Sequence, residues 1–196
     1  ISRVGVFVDE KENVVKKIAK LCGLDMLQFH GQESPEYCRK FKGYKIIKAF
    51  KVGRKINLDD LSGYKTFAYL FDTYSKNKSG GTGKKFNWNL LKQIVKMKHP
   101  VFLSGGLTCG NVTKAIKLLK PDWVDASSAL EIRPGTAQKR VPAFQIRPGK
   151  KDHQKIQRFI KAVKRHKKTI LRGGFLSSAV HARNVIRVQN RSVFYT

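Results

Sequence analysis

The sequence predicts an α/β fold of parallel strands alternating with helices, and three observations predict it. Short, continuous apolar runs recur along the 196 residues, at 3–8, 26–30, 45–52, 67–72, 101–104 and 123–126. Helix-patterned segments separate several of them. Two of the runs end in residues suited to chemistry, one in Asp72 and the other in Ser104-Gly105-Gly106. Uniformly apolar strands belong to parallel sheets covered on both faces. Barrels built from such units gather their functional groups at the C-terminal strand ends.

Each element has a local reason. Arg3–Val8 (RVGVFV) reads as a buried strand, and Asn13–Leu21 places Val14, Val15, Ile18, Ala19 and Leu21 on a helical face. Met26–His30 is the second strand. Ser34 then suits an N-cap, with Pro35 at the first helical position of a short helix reaching Phe41. Lys45–Val52 and Phe67–Asp72 follow as strands, and helices are expected over Trp88–Met97 and Asn111–Leu119. Val101–Ser104 and Trp123–Ala126 complete the strands, and Asp152–Lys164 closes the series with a helix. About six βα units are countable, and a closed eight-stranded barrel requires two more.

After Ala129 the rhythm changes. Ile132-Arg133-Pro134-Gly135 recurs as Ile146-Arg147-Pro148-Gly149 around a basic, proline-containing spacer, which reads as a surface-loop insertion over about 133–147. Residues 1–168 are therefore expected to form a partial barrel. Residues 169–196 show no helical or strand plan and are expected to be a basic, partly disordered extension.

Forty-one Lys and Arg against 13 Asp and Glu give a net charge of +28. Such a field attracts nucleic acid, anionic lipid or phosphorylated metabolites without selecting among them. The excess peaks from Lys164 onward, where eight basic residues meet no acid. The three cysteines, Cys22, Cys38 and Cys109, lack metal-type spacing, so reduced thiols and a cytoplasmic setting are expected. No apolar run approaches the ~18 residues of a membrane span, and no membrane partner is expected.

The chemistry concentrates between residues 69 and 106. Asp72 is delivered to a strand end, and Gly80-Gly81-Thr82-Gly83-Lys84 follows it. This loop lacks the spacing of a nucleotide-binding P-loop, but amides freed by glycine can cradle a phosphate. Gly105 and Gly106, and the Asp125-Ala126-Ser127-Ser128 strand end, offer further donors to the same anion. In Gln28-Phe29-His30-Gly31, alternation directs Gln28 and His30 to one face and Phe29 to the other.

Taken together, RVGVFV, LDMLQFHGQESPEYC, IIKAF, FDTYSKNKSGGTGKKFNW, PVFLSGGL, WVDASS and PGKKDHQKIQRFIKAV resemble the successive blocks of the phosphoribosylanthranilate isomerase family. The similarity covers about residues 3–165 apart from the inserted spacer. It implies the (β/α)8 TIM-barrel fold, here incomplete. It also implies conversion of N-(5-phosphoribosyl)anthranilate to 1-(2-carboxyphenylamino)-1-deoxyribulose 5-phosphate, an Amadori rearrangement of tryptophan biosynthesis that needs no cofactor and no metal. The general acid of the resemblance falls on Asp72, which would protonate the furanose ring oxygen as the ring opens. Gly81, Gly83, Gly105, Gly106 and Ser128 would form the phosphate cradle, and Gln28 and His30 would line the substrate pocket.

Two departures qualify the expectation. The chain begins at what resembles the family's third strand, so the family's general-base cysteine and a substrate-holding arginine are not in it, and impaired activity is expected. Leu21-Cys22-Gly23-Leu24 imitates the base motif at a helix end, and Cys22 is not assigned as the base. In the last strand loop, the family's Ser-Ser-Gly is Ser127-Ser128-Ala129. A different class of function, a degenerate barrel acting as a basic RNA- or ribosome-associated protein, rests on the charge. Oligomeric state is not readable from the sequence.

Overall fold

A single sheet organises the chain. The computed structural model describes residues 2–53, 59–73, 88–92, 99–132, 150–172 and 186–188. The strands are β1 (Val4–Phe7), β2 (Met26–Phe29), β3 (Lys45–Val52), β4 (Ala68–Thr73), β5 (Val101–Leu103), β6 (Trp123–Ala126) and β7 (Ile186–Val188). Each lies parallel to the next in chain order. Parallel neighbours require crossovers. The helices on these crossovers are α1 (Glu12–Leu21), α2 (Pro35–Arg39), α3 (Asp59–Ser62), α4 (Val112–Leu119) and α5 (His153–Arg172).

The strands that apolar runs mark are the six that form the sheet through β6, a parallel arc of the (β/α) type. Three elements depart from the sequence reading. Isoleucine, arginine and valine at 186–188 extend the sheet by pairing with Val124, Asp125 and Ala126. A seventh strand therefore lies within the segment expected to lack one. Helix α5 continues to Arg172 rather than ending near Lys164. At Trp88–Leu91 a 3-10 turn stands where the helix over Trp88–Met97 is expected, and residues 93–98 lie outside the described residues.

Both faces of the sheet are buried. On the helix side Phe7, Leu27 and Phe29 pack with Val15 and Ala19 of α1, Cys38 of α2 and Phe41. Farther along, Tyr69, Phe71, Leu103, Val124 and Ala126 pack with Val112, Ala115 and Leu119 of α4 and Phe159 and Val163 of α5. The opposite face carries Ile47, Ala49, Ala68, Leu70 and Phe102. There Phe102 stacks on Trp123 at 4.3 Å between ring centroids.

The caps follow local chemistry. Ser34 Oγ accepts the Tyr37 amide at 3.2 Å, and Pro35 opens α2. Helix α4 ends on Lys120 in the left-handed conformation (φ 46°, ψ 47°), a place where glycine is usual.

Candidate functional site

The interior face changes character toward the C-terminal strand ends. Alternation continues Met26 to Gln28, Ala49 to Lys51, Leu70 to Asp72, Phe102 to Ser104 and Trp123 to Asp125. Apolar packing below thus gives way to a polar rim above.

On that rim the structure brings together residues from strands that are not neighbours. His30 Nε2 lies 3.3 Å from Asp72 Oδ2, although β3 runs between β2 and β4. On the intervening strand Ala49, a small residue, stands opposite Leu70, two residues before Asp72. The Gln28 side-chain nitrogen is 2.8 Å from His30 Nδ1. With that nitrogen donating to Nδ1, a neutral His30 carries its proton on Nε2, facing the Asp72 carboxyl group. Gln28 is fully buried and Asp72 is 9% exposed.

The acid sits beside the glycine turn after β5. Ser104 N–H donates to Phe71 O at 2.9 Å, so Ser104-Gly105-Gly106 begins next to Asp72. Gly105 and Gly106 have φ of 83° and 66°, a conformation side-chain-bearing residues rarely adopt. Asn111 holds the turn: its Nδ2 donates to Gly106 O at 2.9 Å and its Oδ1 accepts from Thr108 N–H at 2.8 Å. Ser128 opens a 3-10 turn over Ser128–Leu130 after β6. Lys151 Nζ braces this end by donating to Ser127 O and Oγ at 3.2 and 3.3 Å and pairing with Glu131 at 3.0 Å. Gly81 and Gly83 lie outside the described residues.

Three rim residues take places that a motif-based reading does not give them. Lys51 is exposed and stands opposite Asp72 in the β3–β4 register. Asp125 is buried, and one of its oxygens accepts from Ser104 Oγ at 3.3 Å. The helix opening near Gly110-Asn111 reads from sequence as a further set of amide donors, and only the fold shows the Asn111 side chain bracing the glycine turn. The alternation that pairs Gln28 with His30 could have found Lys51, which stands two residues beyond interior Ala49.

The cysteines lie elsewhere. Exposed Cys22 caps the C-terminus of α1, in the loop that enters β2 and so at the opposite end of the strands. Burial pushes the Cys38 thiol up to about 11, which leaves it an unreactive core residue. Among the described residues, no group of three or more His, Cys, Asp or Glu side chains is placed to hold a metal ion. No described helix is long and apolar enough to cross a membrane.

Comparisons with known proteins agree with this geometry. The family model for N-(5'-phosphoribosyl)anthranilate isomerase matches residues 1–144. The chain is 42% identical over 164 residues to the N-(5'-phosphoribosyl)anthranilate isomerase of Caldanaerobacter subterraneus subsp. tengcongensis, covering 84% of this chain and 73% of that protein. The crystal structure of the phosphoribosyl anthranilate isomerase of Thermotoga maritima superposes with a TM-score of 0.68 at 36% identity, over 84% of this chain and 73% of that one. A further isomerase structure is bound to reduced 1-(o-carboxyphenylamino)-1-deoxyribulose 5-phosphate. It has a TM-score of 0.64 at 34% identity, over 84% of this chain and 72% of that one. With the parallel sheet, the polar rim and these likenesses together, the chain belongs to the N-(5'-phosphoribosyl)anthranilate isomerase family.

Proposed function

We propose that the rim around Asp72 performs the acid-catalysed part of the isomerisation of N-(5'-phosphoribosyl)anthranilate. The observation that carries this reading is the 3.3 Å approach of His30 Nε2 to Asp72 Oδ2 at the edge of an otherwise apolar interior face. The protonated Asp72 carboxyl group gives its proton to the furanose ring oxygen as the C1–O bond breaks. The electron pair of that bond leaves with the oxygen, and the anthranilate nitrogen stabilises C1 as an iminium. The His30 Nε2–H then stabilises the carboxylate that remains. Loss of the C2 proton to a base gives the enolamine, which tautomerises to the amino ketose.

Substrate is held at its phosphate and along its sugar. Gly105, Gly106 and Ser128 offer main-chain N–H groups to the phosphate, and Gly81 and Gly83 are proposed for the same cradle. Gln28 fixes His30, and both border the sugar. No resident cofactor enters these steps, and the reaction is placed in the cytoplasm.

Turnover of N-(5'-phosphoribosyl)anthranilate by an Asp72→Asn variant is the direct test. Loss of general-acid catalysis is expected to lower kcat by ~10²–10⁴-fold. Binding of reduced 1-(o-carboxyphenylamino)-1-deoxyribulose 5-phosphate, measured calorimetrically, should stay within about a factor of ten, because asparagine keeps the shape of the site. Unchanged turnover in the variant would remove Asp72 from the mechanism.

A further inference from the structure

Behind the rim, on the helix side of the sheet, lies a charged pair to which the mechanism gives no part. Lys48 Nζ is 3.0 Å from Glu33 Oε2, and the two side chains are only 3% and 2% exposed. Lys48 also donates to Gly31 O at 2.8 Å and Ala49 O at 3.1 Å. Its ammonium sits over the Phe50 and Tyr64 rings at 5.7 and 5.9 Å. The Glu33 carboxylate accepts from Asp9 N–H at 2.9 Å and from Gly31 N–H at 3.1 and 2.9 Å. Tyr64 OH donates to the Glu33 carbonyl at 2.9 Å.

The pair therefore grips Gly31 from both sides, by its N–H and by its carbonyl. Gly31 directly follows His30, whose own N–H donates to Phe7 O at 2.8 Å. On its remaining side Gly31 is approached by the Asp9 carboxylate, which a methyl group there would meet. A buried ion pair adds little net stability over a well-packed apolar pair, so stability alone does not explain it. What it supplies is direction, since four backbone groups, the N–H and carbonyl of Gly31, the Asp9 N–H and the Ala49 carbonyl, are held by charge-assisted hydrogen bonds.

We propose that the Lys48–Glu33 pair is the positioning device for His30. By clamping Gly31 it sets the imidazole at the distance and angle from Asp72 that the acid step uses. The proposal rests on the isomerase reading of Asp72 and His30. Both Lys48 and Glu33 are buried on the helix side of the sheet, away from the rim.

The test pairs nuclear magnetic resonance with kinetics in the full chain. The His30 ring nitrogens are assigned by the loss of their signals in His30→Gln, and their 15N shifts are compared with and without Asp72→Asn. In the otherwise native chain this replacement should move them. In Glu33→Gln/Lys48→Met, which removes both charges and keeps the volumes, the response should fall to less than half. Turnover should drop by about 10²-fold, as expected when reacting groups move by about an ångström, with KM changed less than kcat. A folded double variant in which the His30 response and turnover are both retained overturns the proposal. So does retention of both in Glu33→Gln alone, the milder change, should the double variant not fold. Failure of both variants to fold makes the pair a fold determinant and overturns the positioning role as well. The underlying reading fails separately, through full turnover in Asp72→Asn alone.

Discussion

His99 shows how one buried side chain ties stability to pH. Its ring lies 3.8 Å from that of Tyr69, and its Nε2 is buried with no hydrogen-bond partner among the described residues. Burial pushes its proton affinity down from the usual 6.5, more than nearby Asp122 raises it. The unfolded chain thus takes up the proton first as pH falls. Stability from neutral His99 is present above about pH 6.5 and is lost as pH drops toward the folded value. Melting temperature should therefore fall more steeply between about pH 7 and 5.5 in the native chain than in His99→Phe. Parallel slopes would show that His99 is not the group responsible. Residues differ in how legible they are. Asp72, Gln28 and His30 can be picked out from strand-end position and alternation. The meeting of His30 with Asp72 cannot, because they come from strands that are not neighbours in the sheet. Lys48 is less legible still: a lysine within a strand reads as solvent-facing, and its partner is fifteen residues away in sequence.

Among the elements, α4 ends least comfortably. Lys120 adopts φ 46° after the helix, and its N–H donates to Ile116 O at 2.8 Å. A side chain in this conformation costs about 1–2 kcal/mol, part of which glycine would return through its greater freedom when unfolded. Lys120→Gly should therefore stabilise the chain by roughly 0.5–1 kcal/mol in chemical denaturation. A destabilised variant would show that the lysine side chain makes a contribution larger than the strain. The same scale explains which elements the sequence discloses. Strands β1 to β6 announce themselves because each carries apolar residues in a short, nearly continuous run. Strand β7 is three residues long with arginine at its centre, and pairing with β6 defines it rather than composition. The later turns of α5 are hidden by lysine and arginine, whose periodic apolar companions are sparse after Val163. Helix α3 is a single turn between Asp59 and Ser62, too short for a period to show.

Across the whole molecule, charge is the property that the isomerase reading leaves over. Helix α5 carries no acid, and Arg158, Lys161, Lys164 and Arg165 are all exposed on it. Together with a net charge of +28, this should give sequence-indifferent retention on heparin. The apparent affinity should fall linearly with the logarithm of salt concentration. Replacing Arg158, Lys161 and Lys164 with glutamine should lower the eluting salt without affecting turnover. Binding that discriminated among RNA sequences would instead revive the nucleic-acid reading.

The order of the sheet carries a consequence for how the chain is made. Every strand pairs with the one synthesised just before it, and among the described residues the buried members of one helix-side apolar cluster run from Phe7 to Ile46, with Tyr64 packing against them, while those of the other run from Val52 to Val163. The nascent polypeptide can therefore bury the Phe7–Ile46 cluster while later units are still being translated, with each new crossover docking on a template already in place. Because β2 and β3 precede β4, the cleft wall bearing His30 is laid down before the acid arrives, and assembly of the rim ends a vectorial process rather than beginning it.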